Sequence, residues 1–294
     1  MNEVQVDKPL IIIEKHKDIF SPSITTCLLV EHIKIEPGNF VCDMGTGTGI
    51  LGILAHKLGA GKVLFVDRDE NALFLAEKNA IKNNCQGYET RKSILFENID
   101  EKFDVILANL PQIPIAQELE SIILPKDNGG GVFGNKVVLE FVQQAIDHLH
   151  PNGRIYLPIF GISSPDQTLN ELDKLYRRET IAGRAIRVDS DPVILKNLPH
   201  IFKLELEGRA IFSREHENIT FPVVILQLHQ KTKNGTIPRL ENDENLGGNG
   251  YEPKTDHSEK TNELYDENKK SSSQKVRNCT IVRKYSCGLV SELT

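Results

Sequence analysis

Along most of the chain, short continuous apolar runs alternate with longer stretches whose apolar residues recur every three to four positions. That is the pattern of strands buried on both faces and joined by amphipathic helices. Ser21-Pro22-Ser23 opens a helix carrying Ile24, Leu28, Leu29 and Ile33, and Pro37-Gly38 ends it before the first strand, Phe40-Val41-Cys42. A glycine-rich turn follows and feeds a helix from Ile50 to Leu58, closed at Gly59-Ala60-Gly61. Val63-Leu64-Phe65-Val66 reads as the second strand, ending in Asp67, and Asp69 caps a third helix with apolar residues at Leu73, Ala76, Ala80 and Ile81. After a variable third strand, Val105-Ile106-Leu107-Ala108 makes a buried fourth strand ending at Asn109, and a loop runs from Pro111 to Gly134. Val137, Val138, Phe141, Val142, Ala145, Ile146 and Leu149 recur at helical spacing until Pro151-Asn152-Gly153 turns the chain into the strand Ile155-Tyr156-Leu157. Phe202 to Ser213 and Phe221 to His229 alternate or run apolar around a polar turn, as a closing hairpin would.

These elements predict an α/β fold: a Rossmann-like, doubly wound, mostly parallel sheet closed by an antiparallel hairpin. Residues 1–36 read as an N-terminal segment and lid helix, and residues 37–231 as the main domain. From Thr232 the pattern changes. Asn, Glu, Lys, Ser and Gly crowd together through Gly247-Gly248-Asn249-Gly250 and Ser271-Ser272-Ser273, so residues 232–294 are expected to form a disordered polar tail. Its last stretch regains Ile281, Val282, Leu289 and Val290 and is read as a frayed end rather than a docking peptide.

Composition narrows the function. A formal charge of −6 gives no large basic field, which disfavours long nucleic acid and favours a protein, peptide or small-molecule partner. The five cysteines (Cys27, Cys42, Cys85, Cys279 and Cys287) are odd in number and form no C-x-x-C pair, so no disulfide framework or zinc site is expected, and a reducing cytoplasm is. His148 and His150 lack further ligands, so no metal is expected, and no apolar run reaches the roughly 18 residues of a membrane span. The sequence sets no oligomeric state.

The candidate chemistry lies in the turn Asp43-Met44-Gly45-Thr46-Gly47-Thr48-Gly49. Gly45, Gly47 and Gly49 after a strand expose backbone N–H groups and let a ligand approach the main chain. Gly47-Thr48-Gly49-Ile50-Leu51-Gly52 also satisfies the dinucleotide fingerprint, so spacing alone does not choose the cofactor. Asp43 favours a cofactor with an ammonium over one with a pyrophosphate, which it would repel. Asp67 can accept hydrogen bonds from two ribose hydroxyls in either class. Each aspartate also has a purely structural reading, as a turn residue or a strand-end cap.

Val41 to Ile50 resembles the first motif of class I S-adenosylmethionine-dependent methyltransferases, and Asn109-Leu110-Pro111-Gln112 falls where nitrogen-methylating members carry Asn-Pro-Pro-Tyr. Phe20-Ser21-Pro22 with Thr25-Thr26, and Gly129-Gly130-Gly131-Val132-Phe133-Gly134, are similar to the release-factor glutamine methyltransferase type. Gly49-Ile50-Leu51-Gly52-Ile53 and Leu58-Gly59-Ala60-Gly61-Lys62-Val63 resemble ribosomal-protein lysine methyltransferases. The likeness runs from about Phe20 to Pro158. It implies that S-adenosyl-L-methionine is held by Asp43, Gly45, Thr46, Gly47, Gly49, Asp67, Arg68 and Ser93, with Asn109 beside it. It further implies that Asn109, Leu110 and Pro111 carry catalysis, Asn109 and the Leu110 carbonyl accepting N–H bonds from the nitrogen to be methylated, and that Gln112, Phe20, Pro22 and Thr25 face the substrate.

This chain departs from the family pattern in places. Gln112 replaces an aromatic residue that would stack on a flipped base, which disfavours a nucleobase substrate. Leu110 replaces a proline, and Ser93 stands where an acidic adenine contact is usual. The short segment before Phe20 lacks the family's helical substrate-recruiting domain, which argues against release factors as acceptors. The expectation is methyl transfer to a nitrogen; the alternatives are an NAD-type oxidoreductase and a non-catalytic scaffold of the same fold.

Overall fold

The computed structural model describes residues 9–119, 129–231 and 289–290. Its central sheet is built from β2 (Phe40–Met44), β3 (Lys62–Asp67), β4 (Tyr88–Lys92), β5 (Phe103–Ala108), β6 (Leu149–Phe160), β7 (Tyr176–Arg187), β8 (Ser213–Glu215) and β9 (Asn218–Gln230). The order across the sheet is β4-β3-β2-β5-β6-β9-β7, with β8 paired to β9. All pairs from β4 to β6 are parallel, and those made by β9 are antiparallel. Chain order reverses direction between β2 and β5, so their carboxyl ends flank a topological switch point, where open α/β sheets place ligands.

The helices are α1 (Ile24–His32), α2 (Ile50–Lys57), α3 (Glu70–Lys82), α4 (Lys136–Ala145), α5 (Pro165–Leu175) and α6 (Pro192–Leu206). The pleat divides each central strand between two cores. Cys42, Met44, Leu64, Val66, Ile106 and Ala108 face Val138, Phe141 and Val142 of α4. Val41, Val63, Phe65, Val105 and Leu107 face α1, α2 and α3 through Leu28, Leu29, Ile53, Leu54 and Ala76. The helix expected as a lid is therefore packed into the second core. Ile81, expected on the apolar face of α3, is 62% exposed.

The closing antiparallel hairpin is formed by β8 and β9, but its first arm is Ser213–Glu215 rather than the stretch Phe202 to Ser213. Phe202-Lys203-Leu204-Glu205-Leu206 alternates with period two but is the last turn of α6, whose buried residues Ile194, Asn197, Ile201 and Leu204 follow the helical period. Asp191 caps that helix, its carboxylate accepting from Val193 N at 2.7 Å, and Pro192 sits in the first turn. β9 pairs with β6 on one side and, beyond the short β8, with β7 on the other; β7 is a mostly exposed edge strand whose polar residues hid it. The Pro151-Asn152-Gly153 turn is absorbed into β6, where the pairing with β5 shifts register. Leu289–Val290, read as a frayed end, forms β10, parallel to β1 (Ile11–Ile12). The rest of the expected tail lies outside the described residues.

Candidate functional site

Asp43, Asp67 and Asn109 sit at the carboxyl ends of β2, β3 and β5, around the switch point. The glycine-rich turn between β2 and α2 takes its shape from backbone constraint. Gly49 has φ +81°, and a Cβ placed there would stand 3.0 Å from Ala76 Cα, so α3 can approach only a glycine. Gly52, the last glycine of the embedded fingerprint, serves packing: a Cβ there would meet the Phe65 ring at 2.3 Å.

Asp43 is buried, and its Oδ2 accepts from Thr46 Oγ1 at 2.7 Å and from Gly52 N at 2.9 Å. Burial raises its pKa to about 7 despite those two bonds. Its observed task is to tie the turn to the first turn of α2. Thr46 completes the tie, donating its own N–H to Val66 O at 2.9 Å. Asp67 is half-buried: Oδ2 accepts from Gly47 N at 3.0 Å and Oδ1 from Asp69 N at 3.1 Å. Desolvation pushes its pKa up, and the backbone bonds from Asp69 and Gly47 pull it back. Each oxygen keeps a lone pair for a ligand.

Arg68 is exposed beside Asp67. Ser93 is buried at the same rim: its N–H donates to Asp67 O at 3.0 Å, and its hydroxyl oxygen accepts from Asn98 N at 3.0 Å. Gly45 is exposed, and the nearest atom to a Cβ there would be Leu110 Cδ2 at 3.1 Å, which brings the Asn109 turn against the glycine-rich turn.

Asn109 is half-buried, and its Nδ2 donates to Thr26 Oγ1 at 3.0 Å. Sequence reasoning missed Thr26 as a partner. Its signal was the capping box of α1, in which Ser23 Oγ accepts from Thr26 N while Thr26 Oγ1 accepts from Ser23 N at 3.1 Å. Thr25, expected to face the substrate, is buried, whereas Phe20 is exposed and Pro22 half-exposed. The Phe20 carbonyl oxygen would lie 3.7 Å from a Cβ on Gly47, in the glycine-rich turn.

Gln112, also expected to face the substrate, is buried with both ends of its amide used: Nε2 donates to Pro158 O at 2.8 Å, and Oε1 accepts from Phe160 N at 3.2 Å. Ser163 Oγ donates to its carbonyl. The side chain thus pins the turn to β6. The loop Gly129 to Gly134 packs onto the same turn, with Gly130 N donating to Ile113 O at 2.8 Å. Pro111 is half-exposed between these anchors.

The family model for ribosomal protein L11 methyltransferase (PrmA) matches residues 22–156. A putative protein N5-glutamine methyltransferase of Methanocaldococcus jannaschii is 30% identical over 171 residues, covering 58% of this chain and 86% of that protein. The chain belongs to the class I S-adenosylmethionine-dependent methyltransferases. The ribosomal protein L11 methyltransferase of Thermosipho africanus is 37% identical over 135 residues, so the methyltransferase described here spans 52% of that relative's length. The ribosomal protein L11 methylase structure from Lactobacillus delbrueckii subsp. bulgaricus is similar at 23% identity and a TM-score of 0.39, covering 68% of this chain and 77% of the other. Membership assigns the embedded G-x-G-x-x-G to a methyltransferase and sets the oxidoreductase alternative aside.

The site fits the cofactor this family uses. An exposed glycine backbone at Gly45, a half-exposed one at Gly47 and a half-buried carboxylate with spare lone pairs at Asp67 suit a nucleoside carrying an amino-acid tail. Among the described residues, no helix is long and apolar enough to cross a membrane, and no group of three or more His, Cys, Asp or Glu could hold a metal.

Proposed function

We propose that the chain methylates a nitrogen of a protein side chain, an amide or an amine, and that Asn109 with the Leu110 carbonyl presents that nitrogen. The observation that carries the reading is the bond from Asn109 Nδ2 to Thr26 Oγ1 at 3.0 Å. It uses the donor end of the carboxamide and turns Oδ1 into the acceptor offered to an incoming N–H. Bound S-adenosylmethionine supplies a methyl group activated on a sulfonium. The protein's own work is positioning. Two carbonyl-type acceptors fix two N–H directions of an amide or amine, which sets the direction of its lone pair, and such orientation is worth orders of magnitude in rate.

In this reading Asp67 and the backbone of Gly45 and Gly47 hold the cofactor, with Arg68 and Ser93 at its rim. Asp43, Thr46 and Gly49 shape the turn, while Pro111 and Gln112 hold the acceptor turn in place. Phe20 and Pro22 border the acceptor. The named relatives support a protein acceptor, since one is a putative protein N5-glutamine methyltransferase and another a ribosomal protein L11 methyltransferase. We take the setting to be a reducing cytoplasm.

The test is transfer of labelled methyl from S-adenosylmethionine into a cell extract, followed by separation into protein, nucleic-acid and small-molecule fractions and hydrolysis of the labelled one. Label on glutamine or on an amine of protein supports the reading. Label on oxygen, sulfur or nucleic acid contradicts it.

A further inference from the structure

The segment that leads into the site is held by a feature outside the methyltransferase motifs. Asn79 and Asn83 lie one helical turn apart on α3, with side chains 0% and 7% exposed. Asn83 Oδ1 accepts from Ile12 N at 3.0 Å, and its Nδ2 donates to Ile12 O at 2.5 Å. Asn79 repeats this two residues on: Oδ1 accepts from Glu14 N at 2.7 Å, and Nδ2 donates to Glu14 O at 3.1 Å. The spacing works because four helical residues rise about 6 Å and two strand residues about 6.6 Å. The two carboxamides thus act as a neighbouring strand for residues 12–14.

Asn79 has one further bond. Its second Nδ2 proton goes to Thr48 O at 2.9 Å, inside the cofactor turn. Beyond Glu14 the segment continues along α3 toward that turn: Ile19 packs on Ala72 and Leu75, and the Phe20 carbonyl reaches Gly47. Three residues later Ser23 caps α1, whose Thr26 holds Asn109.

We propose that Asn79 is a positioning residue for the cofactor turn and couples binding of S-adenosylmethionine there to docking of residues 11–20. The proposal rests on the cofactor reading above. A fully buried carboxamide with every donor and its acceptor engaged has one favoured geometry, so the segment and the turn are ordered together. Coupling of this kind is reciprocal: the cofactor must slow opening of the segment as much as the docked segment tightens the cofactor.

The experiment measures S-adenosylmethionine affinity by calorimetry and amide exchange of residues 9–20 with and without cofactor, on the full chain. Wild type is expected to bind and to show slower exchange in that segment when bound. Asn79→Ala should bind about fivefold more weakly, the loss of one net hydrogen bond, and should lose the cofactor-dependent slowing. Asn79→Asp keeps the shape and the acceptor for Glu14 N but no donors when ionised; it should behave like Asn79→Ala and keeps the test informative if alanine fails to fold. Asn83→Ala should speed exchange at Ile12 while leaving affinity within about twofold. Wild-type binding with Asn79 variants of equal affinity and unchanged slowing overturns the proposal alone. Absence of binding by wild type overturns the cofactor reading and the proposal with it.

Discussion

The sheet from β4 to β2 and the sheet from β5 to β7 are organised by different means. The glycine-rich turn is shaped mainly by short-range bonds and glycines, Asp43 bonding Thr46 and Gly52 and Gly49 admitting α3, with Asp67 and Asn79 the side chains that reach it from farther along the chain. On the acceptor side the decisive contacts join residues far apart, Asn109 to Thr26, Gln112 to Pro158 and His200 to the Val132 carbonyl. In the proposed reading, the cofactor lies against a turn shaped mainly by its own short-range bonds and glycines, while the turn that offers Asn109 is held by side chains distant in sequence.

Gly49→Val carries the largest effect. A β-branched residue at φ +81° with a Cβ 3.0 Å from Ala76 Cα should cost more than about 3 kcal/mol and abolish cofactor binding. Gly130→Val, whose Cβ would fall 2.1 Å from Gly134 O, should instead remove methyl transfer while cofactor affinity stays within a few-fold. Calorimetry and a transfer assay on both variants check this, and equal loss of affinity in both would erase the division.

Next comes the pH dependence of Asp43. Its folded pKa of about 7 lies above the ordinary aspartate value of 3.8, so between those values the folded chain keeps a proton that the unfolded chain has released. The contribution of this group to stability is therefore fully present below pH 4 and is lost as pH rises toward 7, by about 4 kcal/mol at most. Asp43→Asn should flatten that part of the Tm-against-pH profile; an unchanged slope would contradict the assignment.

Gln112→Ala should be smaller. It leaves Pro158 O and Phe160 N without their partner, costing about 1–3 kcal/mol in unfolding free energy with little change in cofactor affinity. Unchanged denaturant stability would show that the side chain does not pin the turn.

The same difference explains what could be read in advance. The glycine-rich turn and the central parallel strands were legible because glycines at positive φ and continuous apolar runs have few other uses. Past the switch point, the strand run placed Asn109 at the end of β5, and the acceptor role of Asn109-Leu110-Pro111 is the proposal made above. Thr26 and Gln112 act through contacts with no sequence period, and β7 escaped because an exposed edge strand has no apolar face to alternate. In α6 a two-residue alternation at Phe202–Leu206 competed with the helical period of four buried positions, and burial decided. Asn79 interrupts the apolar stripe of α3, a visible anomaly, but its partners at Glu14 and Thr48 come from the fold.

The central claim is that binding belongs to Asp67 and its turn, and transfer to Asn109. Asp67→Ala should weaken S-adenosylmethionine binding at least about tenfold, since it removes charge-assisted acceptors from the turn. The most direct measurement is the transfer rate of Asn109→Ala at saturating S-adenosylmethionine, with its Kd measured alongside. The account predicts a fall of about a hundredfold or more in rate with Kd changed less than about twofold. A variant that transfers methyl at the wild-type rate, or loses rate only in proportion to its Kd, would contradict it.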